Sequence, residues 1–270
     1  MNDLAIPHLG ELLREWRAVR GRSQLELSTD TGISQRQISF IESGRSVPGR
    51  ATLISISTAL QIPLRDRNDL FLSAGYAPAY SVADWSSEDM TAIRQALQRM
   101  LTQHEPYPAF VMDRHWNVLF TNTAAPRFFS NFVNLDARPA RRNLLRLLLD
   151  PQGLRPFIAN CSELVAALIE RVLRESVGQV LTPESRAILN DLRAHSKDAP
   201  QRPSPRAGSM LPMIPIDLFK DGQTMSYFSL LTTVGAPQTV AAQELRVECM
   251  FPSDESTESL HHRVMAEVSL

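Results

Sequence analysis

The chain has 270 residues, 43% hydrophobic and 21% charged, with a net charge of −1. This balance is ordinary for a soluble globular protein and long enough for two cores, and no apolar run reaches the roughly 18 residues that a membrane span needs. Two cysteines, Cys161 and Cys249, fit a reducing cytoplasm better than a disulfide framework, and with no basic-then-apolar start a secretory signal is not expected, so a cytoplasmic protein is expected.

Leu9 to Arg20 reads as an amphipathic helix, with Leu9, Leu12, Leu13, Trp16 and Val19 at helical spacing. Ser23 and Glu26 then form the pattern of a capping box. Leu25 and Leu27 supply that helix's apolar contacts, and Gly32 closes it. Ser34 caps a second short helix, Gln35 to Ser43, in which Ile38 and Ile41 share a buried face before Gly44 stops it. Its outer positions, Gln35, Arg36, Gln37, Ser39 and Phe40, are long polar or flat groups. Gln and Arg carry the paired donors and acceptors that read adenine and guanine edges in a major groove. This is a helix-turn-helix with its reading helix second. Gln24, Arg45 and Arg50 are the candidate phosphate contacts, and Ser34 belongs to the same face. Phe40 is expected to be exposed and to touch a thymine methyl. Helices Thr52 to Leu60 and Pro63 to Gly75 complete a five-helix bundle, with Leu53, Ile56, Leu60, Leu64, Leu70, Phe71 and Leu72 closing it.

The residues Gln24, Glu26, Gly32, Ser34, Ile38, Ile41, Glu42, Gly44 and Arg45 resemble the lambda-repressor-like, or Xre-type, DNA-binding domain. The resemblance implies double-stranded DNA as partner. Residues 1–75 hold nine Arg against eight Asp plus Glu, a weak basic footprint. Two such footprints add in a homodimer on a pseudo-palindromic operator, which is therefore expected.

Residues 76–86, with Pro78 and small residues, read as a linker, and residues 87–270 as a second domain. Its first helix, Glu88 to Gln103, is either a core element or a coupling and dimer helix. Ala109 to Met112 and Val118 to Thr121 are short strands around a turn, and Asn122 or Thr123 caps a helix bearing Phe128, Phe129 and Phe132. Helices Asn143 to Leu149, Phe157 to Val177 and Thr182 to Leu192 follow. Strands Leu211 to Phe219, Met225 to Thr233 and Glu244 to Phe251 come next, the first two joined at Asp221-Gly222. In the last strand Leu245, Val247, Cys249 and Phe251 form the buried face, and Arg246, Glu248 and Met250 the wetter one. Ser253 caps a final helix. The fold class is an all-α five-helix DNA-binding domain followed by an α+β, PAS-like domain with a five-stranded antiparallel sheet.

The segments PAFVMDRHWNVLFTNTAAPRFF, NLLRLLLDPQGLRPFIAN and TTVGAPQTVAAQELRVECMFPSDEST resemble the MmyB-like ligand-binding domain of bacterial regulators. That implies a PAS-like fold around an apolar pocket that takes fatty-acid-like ligands. Cys161 departs from the family pattern, where a Trp is expected, and reshapes the pocket. The candidate lining is Phe110, Met112, Phe120, Phe128, Phe129, Phe132, Leu144, Leu148, Phe157, Leu168, Val172, Met213, Ile216, Phe228 and Leu230. The aromatic and Met content exceeds what one compact core requires, which favours a shaped space for an elongated lipophilic molecule with an acidic head. The cluster Arg138, Arg141, Arg142 and Arg146 is either a solvated loop or the partner of that acid.

Phosphate-loop, dinucleotide, zinc-protease and nucleophile-elbow motifs are missing, and His261 and His262 point about 100° apart on a helix. No enzyme activity, cofactor or metal is expected. Two functions compete: a ligand-controlled transcription regulator, and a DNA-binding protein whose second domain only dimerises.

Overall fold

The computed structural model describes residues 8–82, 84–137, 143–176, 183–196 and 213–267. It contains two compact units. The first is built mainly from Met1–Asp84; the second mainly from Trp85–Arg174, Thr182–Gly235 and Glu244–Leu270.

The first unit holds five helices: α1 (Leu9–Val19), α2 (Gln24–Thr31), α3 (Gln35–Glu42), α4 (Arg50–Ala59) and α5 (Leu64–Ser73). Local chemistry sets their ends. Ser23 Oγ accepts from the Glu26 N–H at 3.1 Å while Glu26 accepts from the Ser23 N–H at 2.7 Å, so two first-turn donors are satisfied together. Gly32 ends α2 with φ +70°, a left-handed conformation that costs glycine little. Leu9, Leu13, Trp16, Leu27, Ile38, Ile41, Leu53, Ile56, Leu60, Leu70 and Phe71 pack into one core. Each fully buried aliphatic side chain there contributes about 1.5–3 kcal/mol relative to exposure. Val19, Leu25 and Leu72, expected inside, are exposed. For Leu25 the reason is geometric: two positions before Leu27, it cannot share the same helical face.

The core also encloses a carboxylate. Glu42 receives Arg17 Nε at 2.6 Å and Nη2 at 2.9 Å, and Gln24 Nε2 at 2.9 Å. Burial pushes its pKa up, but the Arg17 and Gln24 hydrogen bonds outweigh that and hold it below the usual carboxylate range. This network ties α1, α2 and α3 together. Residues after α5 join the same unit, because the Asn68 side chain bonds the backbone of Ala79 and Tyr80.

The second unit begins with a 3₁₀ turn (Glu88–Met90) and α6 (Thr91–Gln103), on which Leu101 is buried while Ile93, Leu97 and Met100 are half-exposed. Strands β1 (Ala109–Met112) and β2 (Val118–Thr121) follow, then α7 (Ala124–Ser130), α8 (Leu144–Leu149), α9 (Cys161–Ser176) and α10 (Pro183–Ser196). Strands β3 (Ile216–Lys220) and β4 (Gln223–Thr232), β5 (Arg246–Pro252) and α12 (Glu255–Glu267) complete it, while α11 (Val240–Glu244), between β4 and β5, falls almost entirely in the first unit. The five strands form one antiparallel sheet in the order β2-β1-β5-β4-β3. Asp221 and Gly222, with φ +50° and +78°, make the tight β3–β4 turn, as a two-residue hairpin of matching twist requires.

Register fixes the two faces. Phe110 lies opposite Glu248, Met250 opposite Ser229, and Tyr227 opposite Ile216, so these six share one side. Val111, Phe120, Val247, Cys249, Phe228 and Phe251 occupy the other. On β5 both sides are buried, which corrects the expectation of a wetter face there: Glu248 and Met250 are buried alongside Val247 and Cys249. Two ends also differ from expectation. The last helix is capped by Asp254, which accepts from the Thr257 N–H at 2.7 Å, in place of Ser253. The expected strand start at Leu211 lies outside the described residues, and β3 begins at Ile216.

Candidate functional site

On the first unit the outer face of α3 is open. Gln35, Arg36 and Gln37 are exposed, Ser39 is half-buried, and Ser34 is exposed with its hydroxyl accepting from the Gln37 N–H at 3.2 Å. Phe40 departs from the exposed aromatic that was expected: it is half-buried, with the Arg36 guanidinium 5.3 Å and the Arg45 guanidinium 5.9 Å from its ring centre. A ring holding two cations by its face positions both for polar partners. Gln24 spends one amide N–H on Glu42. Arg50, the first residue of α4, is exposed and rests over the Phe71 ring at 4.9 Å.

The second unit holds a partly open cavity of about 410 Å³ between the Phe110–Glu248 face of the sheet and helices α7, α8 and α9. Eight residues singled out from sequence border it: Phe110, Phe129, Leu144, Leu148, Leu168, Met213, Ile216 and also Phe228, although Phe228 belongs to the opposite face of β4. The other seven do not. Phe120 faces the opposite side of the sheet and stacks on Trp85 at 5.2 Å. Leu230, on that same side, is 53% exposed. Phe128, Phe132 and Phe157 consume each other: Phe132 meets both partners edge-on at 5.4 Å, forming dry core. Met112 and Val172 are buried elsewhere. Cys161 is buried at the start of α9 and does not line the cavity.

Sequence reading missed Trp116, Leu164, Ala167, Glu170, Arg171, Ile214, Tyr227, Ser229, Glu248 and Met250. The signal for the helical group was present: 164, 167, 168 and 171 repeat at helical spacing on α9. The signal for Ser229 and Glu248 was strand register, which pairs them only after folding.

One end of this apolar space is polar. Arg171 Nη1 donates to Glu248 Oε2 at 3.0 Å, Ser229 Oγ donates to Glu248 Oε1 at 2.8 Å, and the Arg171 guanidinium lies 4.2 Å from the Trp116 ring centre. The Glu248 side chain is 10% exposed. At the cavity's margin Tyr227 donates its hydroxyl to His261 Nδ1 at 2.8 Å, since His261 Nε2 must donate to the Pro106 carbonyl at 2.9 Å. Burial lowers the His261 pKa and raises that of Tyr227, so both are neutral and lock the ring in place. Burial likewise raises the pKa of Cys161 and Cys249, leaving protonated, unreactive thiols.

Of the Arg cluster, Arg138, Arg141 and Arg142 lie outside the described residues. Arg146 is exposed and borders a different, more open hollow of about 810 Å³ between α8 and α10. Among the described residues no group of His, Cys, Asp or Glu is placed to hold a metal ion, and no helix is long and apolar enough to cross a membrane.

Residues 93–263 match the MmyB-like transcription regulator ligand binding domain, and residues 13–66 match a helix-turn-helix domain. The chain belongs to the MmyB-like transcription regulators. No curated protein matches it. The regulator thus joins a DNA-binding helix-turn-helix to a ligand-binding domain whose sheet and helices border the cavity described above.

Proposed function

We propose that this regulator acts in the cytoplasm as a homodimer on a pseudo-palindromic operator, and that an elongated lipophilic small molecule in the 410 Å³ cavity controls it. The work divides between residues 1–75, which bind DNA, and residues 87–270, a PAS-like domain that binds ligand, with 76–86 joining them. Gln35, Arg36 and Gln37 read base edges, with Ser34, Ser39 and Phe40 beside them, while Gln24, Arg45 and Arg50 hold phosphates. Residues 87–104, where Ile93, Leu97 and Met100 are half-exposed on α6, supply the dimer contact.

The observation that carries the ligand reading is the largely apolar cavity itself. Well-packed interiors keep few voids larger than a water, and this one falls within the ~300–1,000 Å³ typical of small-molecule sites. Its walls are mainly Leu, Ile, Phe and Met, suited to the aliphatic body of a fatty-acid-like molecule. The test is organic extraction of the purified protein followed by mass spectrometry, with thermal shifts across a series of aliphatic chain lengths. An extracted amphiphile and stabilisation that peaks at one chain length are expected. Neither appearing would leave the second domain as a dimeriser only.

A further inference from the structure

The chemistry at the polar end of the cavity selects the ligand's head group, and this step rests on the lipophilic-ligand reading above. Arg171 is the one cation lining the cavity among the described residues, and its charge is already matched by Glu248 at 3.0 Å. Its guanidinium plane is covered by Trp116 at 4.2 Å. A second carboxylate, Glu170, stands at the solvent-exposed rim of the same space. A ligand carboxylate entering here would sit beside the buried Glu248 carboxylate, with the Arg171 guanidinium already bonded to it. Like charges sharing such a site force one to take up a proton or stay out.

Glu248 presents the opposite opportunity. A carboxylate offers about four lone-pair positions. Ser229 takes one on Oε1 and Arg171 one on Oε2, and both leave acceptor capacity facing the cavity. The side chain is nine-tenths buried, so this capacity is sheltered from bulk water, where a donor gains most from reaching it. Ser229 and Arg171 fix both oxygens in place before any ligand arrives.

We infer that the cavity takes an amphiphile with an aliphatic body and a hydrogen-bond-donating head, a hydroxyl or a protonated amine, received by Glu248. A free fatty acid is the disfavoured head of the same chain length.

The test uses the full-length protein after organic extraction, titrated at neutral pH with dodecan-1-ol, dodecylamine and dodecanoate below their micelle concentrations. Binding is followed by calorimetry and by the tryptophan fluorescence that Trp116 contributes. The alcohol and the amine should each bind about tenfold or more tighter than dodecanoate, the size of one hydrogen bond to a charged acceptor. Equal binding of the two assigns the gain to the hydrogen bond; a further advantage for the amine adds the charge. Glu248→Gln should erase the donors' lead and bring dodecanoate level with them. If that variant does not fold, the ranking in the unaltered protein decides alone. Dodecanoate binding as tightly as, or tighter than, the other two would overturn the head-group assignment and leave the lipophilic-ligand reading standing. Binding by none of the three would remove that reading as well.

Discussion

The two units solve opposite problems with the same pairing of Arg and Glu. In the first, Glu42 accepts three hydrogen bonds from Arg17 and Gln24, and the residues proposed to read DNA stand outside on α3. In the second, Glu248 accepts two, beside a cavity, and the residues proposed to receive ligand line that cavity. A closed network makes a rigid platform for a surface reader, whereas an open one makes a receptor. The difference is in how much acceptor capacity the surrounding packing leaves unspent.

Breaking the closed network should have the largest effect. Arg17→Ala strands a buried carboxylate, and losing one partner of such a pair costs about 3–5 kcal/mol. Urea denaturation should show the first unit destabilised by that amount and operator binding lost with it, while ligand affinity is unchanged.

Next come the exposed readers. Arg36→Ala should cost about 1–3 kcal/mol and relax specificity at one base position, whereas Arg45→Ala should weaken all duplexes alike and reduce the salt slope by about one. Competition binding on specific and random duplexes separates the two, and equal losses on both would reverse the assigned roles.

Filling the cavity comes third. Leu148→Trp places a ring into the space, so ligand affinity should fall about tenfold, or about 1.4 kcal/mol, with operator binding in the absence of ligand preserved. Calorimetry on the variant checks it.

The smallest effect contrasts the units by pH. His261 is buried with a lowered pKa, so the unfolded chain binds its proton first. The second unit therefore has this contribution in full above about pH 6.5 and loses it as pH falls from there through the folded value. Glu42 is also lowered, so the first unit keeps its contribution until pH falls below about 4.3 and then through the folded value. Thermal melts on acidification should show the second unit weakening first, and His261→Gln should flatten that early loss.

What could be read in advance follows the range of the interactions. Caps, the turn glycine and the Ile38–Ile41 spacing act within a few residues, and α1 to α5 appear with ends within about two residues of those expected. The five strands were legible too, by alternation and the Asp221-Gly222 turn. Their faces were not, because β1 pairs with β5 across more than a hundred residues and both sides of β5 are buried. Hence Glu248 and Met250 looked wet and are buried, and Phe120 was placed in a cavity it turns away from. Counting aromatics also overshot: edge-to-face packing lets Phe128, Phe132 and Phe157 fill space among themselves. A cavity arises from what packing leaves unfilled, and no local pattern encodes that.

The central claim is that occupancy of the cavity changes DNA binding. Operator affinity should be measured for extracted protein with and without saturating dodecan-1-ol, in the unaltered chain and in Leu148→Trp. Coupling between the sites predicts a change of about fivefold or more in the unaltered chain, reached in the variant only at about tenfold higher dodecan-1-ol. Operator affinity that stays the same while calorimetry shows the cavity filled would contradict it.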